Sequence, residues 1–331
     1  MNAVVLAGGF GSRLAPITDK IPKPMVKVAN KPMIDYTVSH LYNVGIKDFV
    51  FTLNYKPEKI IDWCIGYSGI LCRFSLETNP LGTLGGVKAV EDFLHDVFFV
   101  LSGDVLENVD LSKMLDFHLS SGAEVTIATI DISDISELGA PIVDDNGKVT
   151  NFIEKSGVKT AGLANSGIYI VNKSVIKSLP KDVKMDFAKD LFPVLVKKNQ
   201  LYAFKHDGYW QDAGTMQNYY NANFDLKEKV LFSSAPNRHR HKSYSKTLGS
   251  PHNSLVSYNS TIDAQIFNSI VGDNCYVAPK SYLENSIVLD GTTVTGNHIN
   301  CIVGSGFSVP ILDKQPNFDS FRINSNNLFT S

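Results

Sequence analysis

The sequence predicts an α/β protein built on a mainly parallel sheet and followed by a short left-handed parallel β-helix. Three observations carry this. Short apolar runs alternate with amphipathic segments through most of the first 225 residues, the order of successive βαβ units. The first run, Asn2–Ala7, feeds straight into a turn holding Gly8, Gly9 and Gly11. From Val271 the period changes to six. Val271, Val277, Leu283 and Leu289 recur at that step, each followed by a small or acidic residue, as the inward aliphatics of a parallel β-helix do.

In chain order, Met33–Asn43 reads as an amphipathic helix ended by Gly45, Asp48–Leu53 as a strand and Lys56–Trp63 as a helix. Leu71–Leu76 reads as a strand and Thr83–Phe93 as a helix; Val97–Ser102 is an apolar strand running into Gly103-Asp104. Leu111–Leu119 is a helix with Gly122 just past it, and Glu124–Asp131 a strand. Asp144-Asp145-Asn146-Gly147 is a hairpin signal, with strands Lys148–Glu154 and Ser166–Val171 beyond it. Helix Phe187–Lys197, strand Leu201–Lys205 and helix Thr215–Asn223 follow, so the second half leaves strict βαβ order as an antiparallel lobe would. Open parallel sheets bind ligands at the carboxyl ends of their strands. That rule puts the Gly8–Arg13 loop, the segment after Leu76 and Asp104 on one rim.

Residues 1–228 therefore read as the main domain, 229–252 as a linker, 253–306 as the β-helix and 307–331 as a polar tail. The stretch Ser233–Ser254 holds Arg238, His239, Arg240, His241 and Lys242 together. A solvated linker is the plain reading and an anion-binding arm the sharper one. A solenoid of two or three coils exposes both ends, which predicts capping or packing against another copy, hence a homo-oligomer. Hexapeptide helices also occur in acyltransferases, but His298 is the sole histidine within the hexads and no such role is assigned to it.

Composition excludes several classes. With 31 basic and 33 acidic residues the chain shows no nucleic-acid footprint. Apolar runs stay short of the 18 or so residues of a membrane span, and the start lacks the basic region and cleavage site of a signal peptide. Cys64, Cys72, Cys275 and Cys301 lack metal-ligand spacing, and reduced thiols in a cytoplasmic protein are expected.

The opening carries the chemistry. A strand feeding a glycine turn, with Arg13 two residues on and Lys23 between two prolines, is a seat for a polyphosphate. It is not a P-loop, which needs Gly-Lys-Ser/Thr, nor a dinucleotide loop, since the last glycine of that fingerprint is missing. The whole string, L-A-G-G-x-G-x-R-L followed by Pro16, Thr18 and P-K-P-M, resembles the signature of the sugar-1-phosphate nucleotidyltransferases, also called NDP-sugar pyrophosphorylases. Within that family the look is nearest to mannose-1-phosphate guanylyltransferase-like proteins.

The resemblance implies a Rossmann-like nucleotidyltransferase domain and the reaction NTP + sugar-1-phosphate → NDP-sugar + pyrophosphate. It assigns the nucleotide to Leu6, Ala7, Gly8, Gly9, Gly11, Ser12, Arg13 and Gly103. Arg13 would hold the leaving β- and γ-phosphates and Lys23 the region of the α-phosphate. Two charges near 4 Å interact by about 4 kcal/mol at an effective dielectric of 20, so joining two phosphorylated substrates demands cations and a metal. Asp104, in a G-D after an apolar strand, and Asp212, in W-x-D-x-G-T, are the implied Mg2+ ligands. The bland readings are a strand-end aspartate for Asp104 and a helix N-cap for Asp212. Lys155 matches the family's E-K at the sugar phosphate, though Ser156 stands where proline is usual. Glu154, Asn165 and Gly139 would meet the sugar; Ala140 follows Gly139 and Leu138 precedes it, a departure from the usual tyrosine-glycine.

Base choice falls to Glu77 and the loop Asn79-Pro80-Leu81-Gly82-Thr83. Guanine presents two adjacent donors, N1–H and N2–H2, suited to a carboxylate such as Glu77, so GTP is the expected nucleotide. Mannose-1-phosphate or a related hexose or heptose phosphate is the expected partner. The alternatives are UTP or dTTP with glucose-1-phosphate, and a non-catalytic homologue that senses nucleotide-sugars. Such a sensor has no need to keep Arg13, Lys23, Asp104 and Asp212 together.

Overall fold

The opening apolar run becomes β1 (Asn2–Leu6), and a seven-stranded sheet grows outward from it. The other strands are β2 (Asp48–Leu53), β3 (Leu71–Leu76), β4 (Val97–Ser102), β5 (Val125–Ile132), β6 (Gly162–Asn172) and β7 (Leu201–Lys205). Their order is β7-β5-β6-β4-β1-β2-β3. All pairings are parallel except those of β6, which runs antiparallel to β4 and β5. The computed structural model describes residues 1–232, 246–247, 251–257 and 259–312. The basic cluster 238–242 and the tail from 313 lie outside the described residues.

Registers align the strand ends, with Leu6 beside Thr52 on one side and Ser102 on the other. The ladder continues into the loops. Ala7 N–H donates to Thr52 O at 3.0 Å, Gly103 N–H to Leu6 O at 2.9 Å and Glu77 N–H to Leu53 O at 2.8 Å. Three segments expected on one rim are thus locked there by backbone bonds.

Both faces of the sheet are covered, as its near-continuous apolar strands require. One face packs against α1 (Met33–Asn43), α2 (Pro57–Ile65) and α4 (Leu111–Ser121), through Ile34, Val38, Leu41, Ile60, Cys64 and Met114. The other packs against α3 (Gly82–Ala89) and the aromatic group Phe187 and Phe192. The expected helix over 83–93 stops at Ala89 and gives way to a 3-10 turn at Glu91–Phe93. The helix expected over 187–197 is split into a π turn, Phe187–Leu191, and an α-helix, Phe192–Lys197. Pro193, at the start of the second piece, lacks the N–H a continuous ladder would use. Gly139–Val143 forms the partner strand of Val149–Glu154 across the expected Asp144–Gly147 hairpin turn.

The chain divides into two units, Met1–Gly11 with Lys20–Met25 and Ile34–Trp210, and Ser12–Asp19 with Val26–Met33 and Gln211 onward. The second therefore draws in two pieces of the N-terminal region. It holds a helix, Met216–Phe232, and three parallel ladders, the sheet pattern of a β-helix. Registers step by a coil at a time: Thr261 beside Tyr276 and Thr293, Ile266 beside Leu283 and His298, Ile270 beside Ile287 and Ile302. Among the described residues each ladder has four parallel strands, so the solenoid exceeds the two or three coils expected.

Val271, Val277 and Leu283 are fully buried as the hexad predicts, but the frame then slips by one residue. Val288 and Val294, rather than Leu289 and Thr295, fill the interior. A second repeat explains why the coils stay in register. Asn-Ser-Leu-Val at 253, Asn-Ser-Ile-Val at 268 and 285, and Asn-Cys-Ile-Val at 300 place one asparagine per coil at the same corner. All four asparagines have positive φ, between 42° and 52°, which asparagine tolerates better than most residues. Their amides form a ladder: Asn253 Nδ2 donates to Asn268 Oδ1 at 3.1 Å, Asn268 to Asn285 at 2.7 Å and Asn285 to Asn300 at 3.2 Å.

Replacing Asn285 by Ala removes two rungs and places alanine at φ 47°. A loss of about 2–3 kcal/mol is expected in denaturant unfolding followed on the C-terminal unit, and a change under 0.5 kcal/mol would count against the ladder.

Candidate active site

In the first unit, Lys23 sits between buried Pro22 and Pro24, its side chain 8% exposed. Its ammonium lies 2.8 Å from Asp104 Oδ2, and the Ser102 hydroxyl donates to Asp104 Oδ1 at 2.7 Å. Burial pushes the Asp104 carboxyl up, but the Lys23 charge, its hydrogen bond and the Ser102 hydroxyl outweigh that and hold it below the usual carboxylate range. Asp104 is thus an ionised oxygen donor at the carboxyl end of β4. Gly103 keeps this corner tight, because a Cβ there would meet Val5 at 3.2 Å and Leu6 O at 3.4 Å.

The opening glycines differ in why they are glycine. Gly11 has φ 67° and needs the freedom. A Cβ on Gly8 would meet Asn54 at 3.5 Å and Leu53 at 3.9 Å, both ordinary contacts, and one on Gly9 would meet nothing within 4 Å. Packing does not demand those two bare positions, so backbone there is open to a ligand. Leu6 and Ala7 close the strand beneath them.

The Glu77 region is more committed to structure than the sequence suggests. Glu77 Oε2 accepts from Leu81 N–H at 3.0 Å, and Oε1 faces Gly86, where a Cβ would lie 2.6 Å away. Burial pushes the Glu77 carboxyl up, against the lowering by the Leu81 N–H. Gly82 is needed for packing: a Cβ would fall 2.4 Å from Met185 O. Thr83 Oγ1 donates to Asp186 Oδ2 at 2.9 Å, and Pro80 is exposed. Leu84, where a small residue is usual, is wholly buried in the core beside Val87.

Gly139 pairs directly with Glu154, where a Cβ would sit 2.9 Å from Glu154 Oε2. Lys155 is exposed and adopts φ 48°, with its N–H on Leu138 O at 3.2 Å. A left-handed lysine is strained by roughly 1 kcal/mol, and a following proline would disfavour it further; Ser156 permits it. A β-bulge in β6 between Asn165 and Tyr169 re-aims Asn165. Its Oδ1 accepts from Gly167 N–H at 3.0 Å and its Nδ2 donates to Tyr169 Oη at 3.1 Å.

In the second unit Ser12 and Arg13 are exposed, and Arg13 Nη2 lies 3.8 Å from Asp212 Oδ2. At the start of the following helix Thr215 Oγ1 accepts from Asn218 N–H at 3.2 Å, the kind of capping bond that the bland reading gave to Asp212.

Four contributors were missed in the sequence: Ser102, Tyr169, His40 and Glu107. Ser102 and Tyr169 stand beside motif residues, but their bonds to Asp104 and Asn165 need the fold. His40 on α1 reaches Glu107, 67 positions away, at 2.7 Å, and Glu107 Oε2 accepts from Val109 N–H at 2.7 Å. This pair braces the segment after Asp104. Among the described residues no group of three or more His, Cys, Asp or Glu side chains is arranged to hold a metal, and no helix is long and apolar enough to cross a membrane.

The nucleotidyl transferase family model matches residues 2–229. The chain belongs to that family. Mannose-1-phosphate guanyltransferase of Saccharomyces cerevisiae is 36% identical over 222 residues, 65% of this chain and 61% of that protein. The Schizosaccharomyces pombe protein of that name is 33% identical over 284 residues, covering 83% of this chain and 74% of its own. The chain thus spans about three fifths of the length of several relatives it matches. Among solved structures, HddC from Yersinia pseudotuberculosis superposes with a TM-score of 0.61 at 31% identity, over 68% of this chain and 99% of that one. HddC is also known complexed with GMP-PN, at TM-score 0.59 and 30% identity.

His40 gives a pH signature. Burial lowers its pKa, but Glu107's charge and hydrogen bond raise it more, leaving it above the usual 6.5. The pair's stabilisation is therefore full below pH 6.5 and fades as pH rises through the raised value. His40→Asn should lose about 1–2 kcal/mol at pH 6 and progressively less as the pH rises beyond the usual 6.5. A loss that does not shrink with rising pH, read by urea unfolding, would contradict the pairing.

Proposed function

We propose that the protein transfers GMP from GTP to mannose-1-phosphate or a closely related sugar phosphate, releasing pyrophosphate. The family match with the cations and carboxylates of its motif intact carries this reading. The relatives named as mannose-1-phosphate guanyltransferases and the guanine-nucleotide complex of HddC support the choice of base.

The reaction is positioning plus electrostatics. Gly8, Gly9 and Gly11 bring backbone N–H groups to the triphosphate, with Leu6, Ala7, Ser12 and Gly103 shaping the seat. Arg13 neutralises the β- and γ-phosphates and Lys23 the α-phosphate. Lys155 holds the sugar phosphate while Glu154, Asn165 and Gly139 meet the sugar. An oxygen of the sugar phosphate attacks the α-phosphorus as the bond to the β-phosphate oxygen breaks, and that electron pair leaves with pyrophosphate. No covalent intermediate on the protein forms.

Mg2+ is the proposed cofactor, with Asp104 and Asp212 as its carboxylate ligands. Ionised aspartates are the hard oxygen donors that ion prefers, and the low pKa direction of Asp104 suits that role. When bound, the metal offsets charge on the phosphates. In the protein alone, each carboxylate faces a cation, Asp104 with Lys23 and Asp212 with Arg13. We take these pairs as the resting form: on substrate binding the phosphates would take over Lys23 and Arg13, leaving Asp104 and Asp212 as the carboxylates that would hold Mg2+.

Glu77 and the Pro80–Thr83 loop are proposed to read the base, with the Glu77 carboxylate accepting from guanine N1–H and N2–H2. A nucleotide-sugar sensor without activity is the reading from another class.

Pyrophosphate release should appear with Mg2+, GTP and mannose-1-phosphate across a panel of NTPs and sugar phosphates. Release only with UTP or dTTP would overturn the base, and none with any pair would overturn the enzyme. Asp104→Asn should cut kcat by roughly 10²-fold or more while the protein stays folded by circular dichroism; a rate within threefold of wild type would remove Asp104 from the metal site.

A further inference from the structure

The β-helix grips the N-terminal hairpin that follows Pro22-Lys23-Pro24-Met25. Lys27–Val28 pairs with Lys31–Pro32 across a turn at Ala29 and Asn30, whose φ values are 46° and 64°. Alanine disfavours that left-handed region, so the turn is held from outside. Ala29 N–H donates to Asn223 Oδ1 at 2.9 Å and Tyr219 Oη to Lys27 O at 2.9 Å, both from the helix that follows Asp212. Asn30 Nδ2 donates to Val271 O at 2.9 Å, inside the β-helix.

Lys27 closes the grip. Its ammonium sits 2.5 Å from Asp273 Oδ2 and 2.6 Å from Asp290 Oδ2, on successive coils. The carboxylates are fixed in turn: Asp273 N–H donates to Asp290 Oδ1 at 2.8 Å, and the Ser257 hydroxyl to Asp273. Gly272 makes room, since a Cβ there would lie 2.4 Å from Asp290 Oδ1. Two of the small or acidic hexad residues, Gly272 and Asp290, thus serve this contact. The helix is fastened to the same coils, with Tyr220 Oη on Asn285 O at 2.7 Å and the buried Lys227 ammonium on Asn253 O at 2.8 Å.

We propose that Lys27 is a positioning residue for Arg13 and Asp212, and that the β-helix, through Asp273 and Asp290, sets the placement of those two residues rather than serving only as an assembly module. Arg13 and Asp212 belong to the same unit as these coils, and Lys23 precedes Lys27 by four positions in sequence. A solenoid is stiff across neighbouring coils, so it gives a fixed frame to two short N-terminal segments that have no core of their own. Arg13 is the triphosphate cation proposed within this unit, whereas Gly139, Glu154 and Asn165 belong to the other unit, so disturbing the grip should act on GTP through Arg13.

The inference rests on the nucleotidyl-transfer reading, and the test separates the two. In the full chain, steady-state kinetics with Mg2+, GTP and mannose-1-phosphate are compared for wild type, Lys27→Met, Lys27→Arg and Asp290→Asn. Lys27→Met and Asp290→Asn should each raise KM for GTP five- to tenfold, with KM for the sugar phosphate within twofold. Lys27→Arg should stay within threefold of wild type. The Lys27→Met/Asp290→Asn double variant should be no worse than the poorer single variant, as for two residues in one contact. A wild type inactive with every NTP overturns the reading and the inference with it. An active wild type whose Lys27→Met and Asp290→Asn variants keep KM for GTP within twofold, or lose kcat/KM for both substrates equally, overturns the inference alone.

Discussion

The pairing of Lys23 with Asp104 is the constraint around which the first unit is arranged. A lysine side chain 8% exposed is tolerated only when its charge is matched, and the match comes from the end of β4, far away in sequence. Everything local serves that meeting. Two prolines stiffen the lysine's backbone, Gly103 lets β4 close on β1, and the Ser102 hydroxyl occupies the second carboxylate oxygen. Removing one partner of such a pair costs stability, because the other charge loses its match.

Much of this fold was legible in the sequence, for definite physical reasons. β2, β3, β4 and β7 begin and end where expected and β1 stops one residue short of Ala7; β1 and β4, buried along most of their length, are apolar for that reason. The misreadings fall where tertiary contacts decide. A helix over 83–93 was the natural reading of its pattern, yet Gly82 and Gly85 bring α3 onto Val183–Met185, and the helical turns end at Ala89. The six-residue period pointed to a β-helix but not to its slip after Leu283, because either Val288 or Leu289 satisfies the aliphatic pattern. The Asn-Ser repeat that pins the coils is spaced by 15 and 17 residues, and an exact hexad does not capture it.

At the site, residue identity was legible while roles were not always. The glycines look alike in sequence, but Gly8 and Gly9 leave space open whereas Gly82 and Gly139 fill close packing. Glu77 already caps its own loop, a duty no single sequence declares. Asp212 went the other way: with Thr215 capping the helix, its carboxylate faces Arg13. The partnership of Lys27 with Asp273 and Asp290 spans about 250 positions and carried no motif at all.

In the proposed reaction the carboxylates are stand-ins that hold the cations until phosphate arrives. Calorimetric titration with GTP in the absence of divalent metal tests this most directly. Asp104→Asn removes Lys23's anionic partner, so without metal the variant should bind GTP several-fold more tightly than wild type, even though its turnover with Mg2+ is lost. Metal-free binding that is unchanged or weaker in Asp104→Asn would contradict the exchange of partners at Lys23.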